Sequence, residues 1–514
     1  MRRRIGIDVG GTNTDAVLLE DDRVLHAIKT PTTADVLTGV RLALQDVARS
    51  IGTQGVQAVM IGTTHFVNAV VQRRDLARVG ALRIGMPASQ SLPPFCDWPE
   101  DLAALVRGQV HMVEGGFDYD GRPIMPLDEA AVAAAAHAMK AAGIACVAVS
   151  GIFSPLDPAM EDRAEAIIRD VMPEAAITLS HDLGRIGLLE RENVGLLNAC
   201  LAPLARHTVQ AFEDALHQVG IAAPLFITQN DGTVIRAELA ARFPVLSFAS
   251  GPTNSMRGAA FLTGLKDALV VDVGGTTSDI GALKAGFPRE ANAIVQVGGV
   301  RTLFRMPDLL SIGLGGGSHV VQENGRITIG PRSVGFRLPE LARIFGGSQL
   351  TTSDIAVRAG LLALGDAARV GDVAPGFAQA VLAEAARMLE ESVDRMKTDA
   401  AAVPLLAVGG GAFLVPDRLP GVSEVLRPAH AAVANAVGAA IAQVSGEADQ
   451  VFQGMTRAEA MTEAERIART RAVDAGADGA TLALVDIEDL PIAYLPGGAI
   501  RVRARVVGEI AASR

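Results

Sequence analysis

Residues 270–279 read VVDVGGTTSD, and residues 6–15 read GIDVGGTNTD. Between 8–15 and 272–279 six of eight positions are identical: the opening Asp, Val, Gly, Gly, Thr and the closing Asp. In each copy apolar residues recur on both sides of the turn, so each reads as a strand, a tight Gly-Gly-Thr turn and a second strand. The dinucleotide fingerprint needs G-x-G-x-x-G between a strand and a helix. Both turns here continue as strand, and that reading is excluded.

A Gly-Gly-Thr hairpin is expected to place its glycines at positive φ and to direct backbone N–H groups into a concave, anion-binding nest. Gly10, Gly11, Thr12, Asn13 and Thr14 in the first turn, and Gly274, Gly275, Thr276 and Thr277 in the second, are the expected phosphate contacts. Asp8 and Asp272 are the expected catalytic and metal-facing carboxylates, because Mg²⁺ takes hard oxygen ligands. Asp15 and Asp279 close the turns and are read as bonding to them. One hairpin holds one phosphate group. Two, from opposite halves of a molecule, hold the β- and γ-phosphates of Mg·ATP from both sides. Gly409, Gly410 and Gly411 form a third glycine turn after a buried strand, expected at the adenosine end. The run 313–319, GLGGGSH, with Gly315 and Gly316 at its centre, suits close approach of backbone to nucleotide or substrate.

Around these turns the patterning is α/β. A strand meander opens the chain, a helix is expected around residues 36–51, and AVMIG is a strand. TTHFVNAVVQRR has helical spacing, with Thr63 and Thr64 able to cap it. Helices are expected over 128–142, 158–172, 380–398, 430–445 and 457–473, and buried strands at IACVAVSGIF, AAITLS and PLFIT. Thr63, Thr64, His65, Asn68 and Ser250 are the candidate substrate residues. Ser250 precedes an expected helix whose N-terminal N–H groups suit an anion. His111 and Glu114 are three apart but have no further ligands near them in sequence, so they are read as no metal pair.

The chain has 514 residues, beyond the roughly 250–300 residues at which single cores stop growing, and 49% of them are apolar. The uncharged run 428–446 is mostly alanine interrupted by His, Asn, Gln and Ser, not the bulky apolar stretch a bilayer helix needs. The N-terminus has no apolar segment before its glycines, so it is not a secretory signal. A cytoplasmic protein without a membrane span is expected. Cys96, Cys146 and Cys200 form no CxxC pair, which excludes a disulfide framework or zinc ribbon. A net charge of −11 without a dense basic block excludes a phosphate-backbone binder of nucleic acid.

GIDVGGTNTD, IGTTHFVNAVVQRR, LLERENVGLLNACLAP, SFASGPTNSMRGAA, VVDVGGTTSD, SIGLGGGSHV and LAVGGGAFLVPDRL, in that order across residues 1–445, resemble the hydantoinase A/oxoprolinase family. That family belongs to the ATPase architecture of actin, sugar kinases and heat-shock ATPases. The resemblance implies an α/β fold of two actin-like, ribonuclease H-like halves around a nucleotide cleft, divided as 1–190 and 191–446, with a small α+β appendage at 447–514. It implies ATP and Mg²⁺ as cofactors and ATP-dependent ring opening of a cyclic amide: a hydantoin, an N-methylhydantoin or a 5-oxoproline-like lactam. It also implies a second hydantoinase-type subunit as partner. Related proteins serve as subunits of ATP-dependent carboxylases.

Two departures bear on the substrate. After RITIGPRSVGF the family commonly continues with a Pro-Gly-Pro-Ala-Cys stretch, where this chain has RLPELARIFGG, and larger members carry a longer C-terminal region. A small-molecule kinase, or a nucleotide-gated interaction protein, remains an alternative on the same architecture. One Trp and two Tyr leave few aromatics for a closed substrate pocket. The closing stretch AIRVRARVVGEI alternates and is read either as an edge strand for a partner or as an internal strand.

Overall fold

The computed structural model describes residues 2–10, 13–31, 36–51, 55–184, 186–291, 295–303, 306–492 and 498–511. Each duplicated hairpin founds a sheet. Arg3–Val9 pairs antiparallel with Asn13–Glu20, which pairs antiparallel with Arg23–Pro31. Val56–Thr63 lies parallel to Arg3–Val9, and Leu225–Thr228 lies parallel to Val56–Thr63. In the second sheet Ala268–Val273 pairs antiparallel with Ser278–Lys284, which takes Phe287–Pro288 at its far end and Leu309–Ile312 beside the turn. Val403–Val408 is parallel to Ala268–Val273, and Val422–Leu426 is parallel to Val403–Val408. When the five strands named above in the first sheet, and those of the second other than Leu309–Ile312, are each numbered in chain order, both sets run 3-2-1-4-5. The fold is the expected pair of actin-like α/β halves.

The inner strands carry continuous buried apolar runs, such as Ala58, Val59, Met60 and Ile61 or Leu269, Val270 and Val271, because both sheet faces are covered. Between the fourth and fifth strands of the first half the chain inserts a parallel sheet of Arg107–Glu114, Val79–Met86, Cys146–Gly151 and Ala176–Leu179. Buried charges tie it to the helix Leu188–Val219: Arg83 pairs with Glu192, and Arg191 donates to Ser180 Oγ at 2.9 Å. Stripping water from such groups is tolerable only with partners this complete.

The boundary expected at residue 190 falls inside that helix. The first sheet continues beyond Leu225–Thr228 through Val234–Arg236, Val444–Phe452, Ile500–Gly508 and Ala483–Pro491, reaching nine strands. The strands of 447–514 thus extend the first sheet. Ala460, Ala464, Ala468 and Ala472 make a small-residue stripe that lets the helix Arg457–Asp474 lie close on them. Ile500–Gly508 is internal, and the edge strand is Ala483–Pro491.

Two helices cross between the halves, Ser250–Thr263 and Ala434–Ala440. A Cβ on Gly258 would lie 1.8 Å from the Ala434 carbonyl oxygen, and one on Gly438 would lie 1.8 Å from that of Asn254. A Cβ on Gly6 would lie 2.1 Å from the Ala436 oxygen, so the second helix also sits directly on the first strand. The helix expected over 430–445 is this shorter one, because Val444–Phe452 joins the sheet. The turn at 409–411 leads only into the short 3-10 segment Ala412–Leu414. Among the described residues no helix is long and apolar enough to cross a membrane.

Candidate functional site

The two hairpins have the same register. Asp8 faces Asp15 and Val9 faces Thr14 in the first; Asp272 faces Asp279 and Val273 faces Ser278 in the second. Each turn is closed by one bond, Gly10 N–H to Asn13 O at 3.0 Å and Gly274 N–H to Thr277 O at 2.9 Å. The expectation of positive φ is corrected here: neither Gly10 nor Gly274 has one, and glycine relieves instead a Cβ contact of 3.2 Å with Asn13 O and 3.3 Å with Thr277 O. Gly11 and Thr12 lie outside the described residues. Among the described glycines of the three turns, Gly409 has a positive φ, +86°.

Strand alternation divides the candidates. Asp8 and Asp15 share one face, whereas Thr14 turns to the other, fully buried, where a Cβ on Gly39 would lie 2.7 Å from its hydroxyl oxygen. The Thr14 side chain is therefore not beside the carboxylates. The third turn packs under the second hairpin: Gly411 N–H donates to Val273 O at 2.7 Å, and a Cβ on Gly409 would lie 2.2 Å from Asp272 Oδ1. A Cβ on Gly410 would lie 4.0 Å from Lys29 Cε, so this turn borders the cleft between the halves.

The long glycine run meets the second turn, backbone to backbone. Gly316 N–H donates to Gly274 O at 3.0 Å, Gly317 N–H to Gly275 O at 2.7 Å, and Gly315 N–H to Ser318 Oγ at 2.9 Å. A Cβ on Gly315 would lie 2.6 Å from the Thr276 nitrogen. The close approach expected of Gly315 and Gly316 is thus to the turn itself.

Thr63 ends the strand beside Asp8, in register with Val9. The Thr64 hydroxyl makes no capping bond; instead Thr63 Oγ1 accepts from His65 N–H at 3.1 Å. Asn68 Nδ2 donates to Thr64 Oγ1 at 3.2 Å, and Ser250 Oγ donates to Thr63 O at 3.2 Å. These five residues therefore stand together at the carboxyl end of the fourth strand. His111 pairs with Gln109, away from them.

Four residues that sequence reasoning missed complete the site. Asn254 Nδ2 donates to Asp8 Oδ1 at 3.2 Å and to Thr228 Oγ1 at 3.1 Å, while the next residue, Ser255, donates to Asp272 Oδ2. Asn435 Nδ2 bridges Asp8 Oδ2 at 3.0 Å and Asp15 Oδ2 at 2.9 Å. Lys29 Nζ donates to Asp15 at 2.7 Å. The crossing helices thus hold the opening Asp of both turns. Asn254 and Ser255 lie in the recognised stretch SFASGPTNSMRGAA, and Asn435 in the alanine-rich run 428–446, where a lone amide was the available signal.

Burial pushes Asp8 up to about 6, against the amide bonds of Asn254 and Asn435 and helped by the charges of Asp15 and Asp272. Burial also raises Asp15 against the Lys29 charge, and raises Asp272 against the Ser255 hydrogen bond. Asp279 is pushed up to about 6 by burial, against its bond from Ser311. Four carboxylates with one nearby ammonium make a site that favours added cations. Asn254 Oδ1 is buried and, among the described residues, has no hydrogen-bond partner. Among the described residues no three His, Cys, Asp or Glu side chains cluster as a metal cage. Two carboxylates with phosphate oxygens and water are the donor set Mg²⁺ commonly takes, so the residues present fit that ion.

A separate cavity of about 680 Å³ opens beyond Thr228, between the inserted sheet and residues 445–475. Ile235, Leu239, Phe243 and Leu246 make its apolar wall, and His181, Asp231, Glu447 and Arg471 its charged one.

A cleft between two halves of the same topology, each presenting a DVGGT hairpin, defines an actin-like ATPase-type fold. The chain belongs to the hydantoinase/oxoprolinase family: the family's N-terminal region matches residues 4–172 and its hydantoinase/oxoprolinase region matches residues 191–366. It is 26% identical over 387 residues to the caprolactamase subunit alpha of Pseudomonas jessenii, which covers 70% of this chain and 55% of that protein. It is 26% identical over 393 residues to the acetophenone carboxylase gamma subunit of Aromatoleum aromaticum, covering 70% of this chain and 53% of that one. The chain therefore spans about half the length of the curated relatives it matches. In fold it is similar to the ATP-dependent caprolactamase of P. jessenii, with a TM-score of 0.77 at 21% identity, covering 99% of this chain and 88% of that one. Nucleotide-free acetone carboxylase gives a TM-score of 0.71 at 19% identity, with the same coverage of 99% and 88%.

Proposed function

We propose that this chain is the nucleotide-binding part of an ATP-dependent enzyme that opens a cyclic amide. The observation supporting this most directly is the pair of matched hairpins, whose opening carboxylates Asp8 and Asp272 accept from the adjacent residues Asn254 and Ser255 of one helix. Mg²⁺, held by Asp8 and Asp272, would neutralise polyphosphate oxygens. The turns at 10–13 and 274–277 hold the phosphates, and Asn254, Ser255 and Asn435 keep the two carboxylates aimed. The end of the strand Val56–Thr63, with Thr63, Thr64, His65, Asn68 and Ser250, faces the amide.

An unstrained lactam resists water, because the amide is stable and its amine is a poor leaving group. The terminal phosphoryl passes to the amide oxygen: its P–O bond to ADP breaks and a P–O bond to the carbonyl oxygen forms, giving an imidate phosphate. Water adds to the ring carbon, the C–N bond breaks, and the nitrogen takes a proton. The acyl phosphate that remains is attacked by a second water at the same carbon, its C–O bond to the phosphorus-bound oxygen breaks, and phosphate leaves with the original carbonyl oxygen. The chain's contribution is alignment and charge neutralisation. The group that activates water is assigned to a second subunit, in keeping with relatives named as subunits alpha and gamma.

ATP turnover should be measured with a panel of hydantoins, lactams and sugars, with and without a co-purified partner chain. Stimulation by lactams or hydantoins, with ADP, phosphate and ring-opened acid formed together, supports the proposal. Substrate labelled with ¹⁸O at the carbonyl should pass label into phosphate, and label retained wholly in the acid would rule out O-phosphorylation. Full turnover by the pure chain alone would sink the second-subunit assignment. The equal identity to a carboxylase subunit favours one alternative, phosphorylation of a carboxylation substrate. Bicarbonate-dependent ADP formation without any lactam would identify it.

A further inference from the structure

In the first sheet the row across the three strands beside the turn is Asp8, Asp15, Lys29. In the second it is Asp272, Asp279, Ser311. Lys29 therefore occupies the position that Ser311 occupies in the other half. The second half shows what the fold itself demands there: Asp279 accepts from the Ser311 hydroxyl and, among the described residues, has no ion pair. A lysine is not needed to shelter a carboxylate at this place. The Lys29 side chain is also 31% exposed against 3% for its partner Asp15, so its ammonium stands on the open side of the pair. It reaches the other half, since a Cβ on Gly410 would lie 4.0 Å from Lys29 Cε, and its charge is felt at Asp272.

We infer that Lys29 is a catalytic residue that meets the terminal phosphate of a nucleotide lying between the two hairpins, leaving Asp15 to do so. The inference rests on the ATP-binding reading above and adds to it the residue that distinguishes triphosphate from diphosphate. A flexible four-carbon stem carrying a compact charge suits that task, because a preorganised cation at developing phosphoryl charge is worth more than one recruited from solvent. During transfer the P–O bond to ADP breaks and the bond to the acceptor oxygen forms. Lys29 keeps its proton throughout.

The test is calorimetric titration of the full chain with Mg·ADP and with a non-hydrolysable Mg·ATP analogue. Wild type, Lys29→Met, Lys29→Arg, Asp15→Asn and the double variant Asp15→Asn/Lys29→Met are compared. Lys29→Met should weaken the analogue about thirtyfold while ADP changes less than about threefold, and Lys29→Arg should recover most of the loss. The same selective loss should appear in the Asp15→Asn background. If Lys29 only neutralises Asp15, Lys29→Met will cost nothing once Asp15 is neutral, and the inference is overturned. Equal loss of both nucleotides overturns it too. If wild type binds neither nucleotide, the ATP reading itself fails; if wild type binds both and only the Lys29 comparison is flat, the failure belongs to Lys29 alone.

Discussion

The two hairpins share six of eight residues in their turn octamers, the same register and the same closing bond, yet their surroundings differ. The first is held by side chains, Asn254 and Asn435 from far along the chain and Lys29 from the neighbouring strand. The second is wrapped by backbone, with glycines 315–317 and 409–411 laid against it. Side-chain donors reach the carboxylates of both copies, Asn254 and Asn435 in the first and Ser255 and Ser311 in the second, and the second is further covered by the glycine backbone of 315–317. The same turn stands in two settings, and those settings make the two copies unequal.

Removing the carboxylate of the second turn is the strongest way to break that comparison. Asp272→Asn should cut ATP turnover about a thousandfold while leaving the thermal midpoint within a few degrees, since the amide still accepts from Ser255. Normal turnover in that variant would remove Asp272 from the metal assignment. Next in size is Gly258→Ala, which presses a methyl onto the Ala434 carbonyl oxygen, 1.8 Å from the Cβ position. It should destabilise the protein by about 3 kcal/mol in chemical denaturation and disturb both rows together, because the two helices hold both. Loss of one half's function alone would show that the halves are not coupled there.

A smaller effect separates function from stability. The Asp8 pKa of about 6 lies above its ordinary value of 3.8, so the folded protein binds that proton more readily than the unfolded chain does. Asp8 therefore lowers stability as pH rises from about 4 to about 6, and the cost persists above that window. Asp8→Asn should raise unfolding free energy at pH 7.5 by about 2 kcal/mol, flatten the pH dependence of the melting temperature, and abolish turnover. A fall in stability would mean that Asp8 is held for structure. Smallest is Ser311→Ala, which removes the one hydroxyl on Asp279 and should cost about 1 kcal/mol, with nucleotide selectivity unchanged. A shift in ATP-over-ADP preference in this variant would show that the second row, too, handles the terminal phosphate.

Sequence alone determined the duplicated strand-turn-strand units, the opening carboxylates and most helices, because each depends on residues close in the chain. The helix Val36–Ile51 and the strand beside Thr63 follow from local periodicity. The register that faces Asp8 to Asp15 follows from turn length. Tertiary structure alone decided which side chains serve those carboxylates. Asn254 lies 246 residues from Asp8 and Asn435 lies 427 from it, and no period links them. It decided as well that the strands beyond 447 extend the first sheet, and that the long glycine run exists to let two backbones touch. The physical reason is that a hydrogen bond or a missing Cβ is specified by what stands opposite in space, whereas a strand or a turn is specified by its own neighbours along the chain.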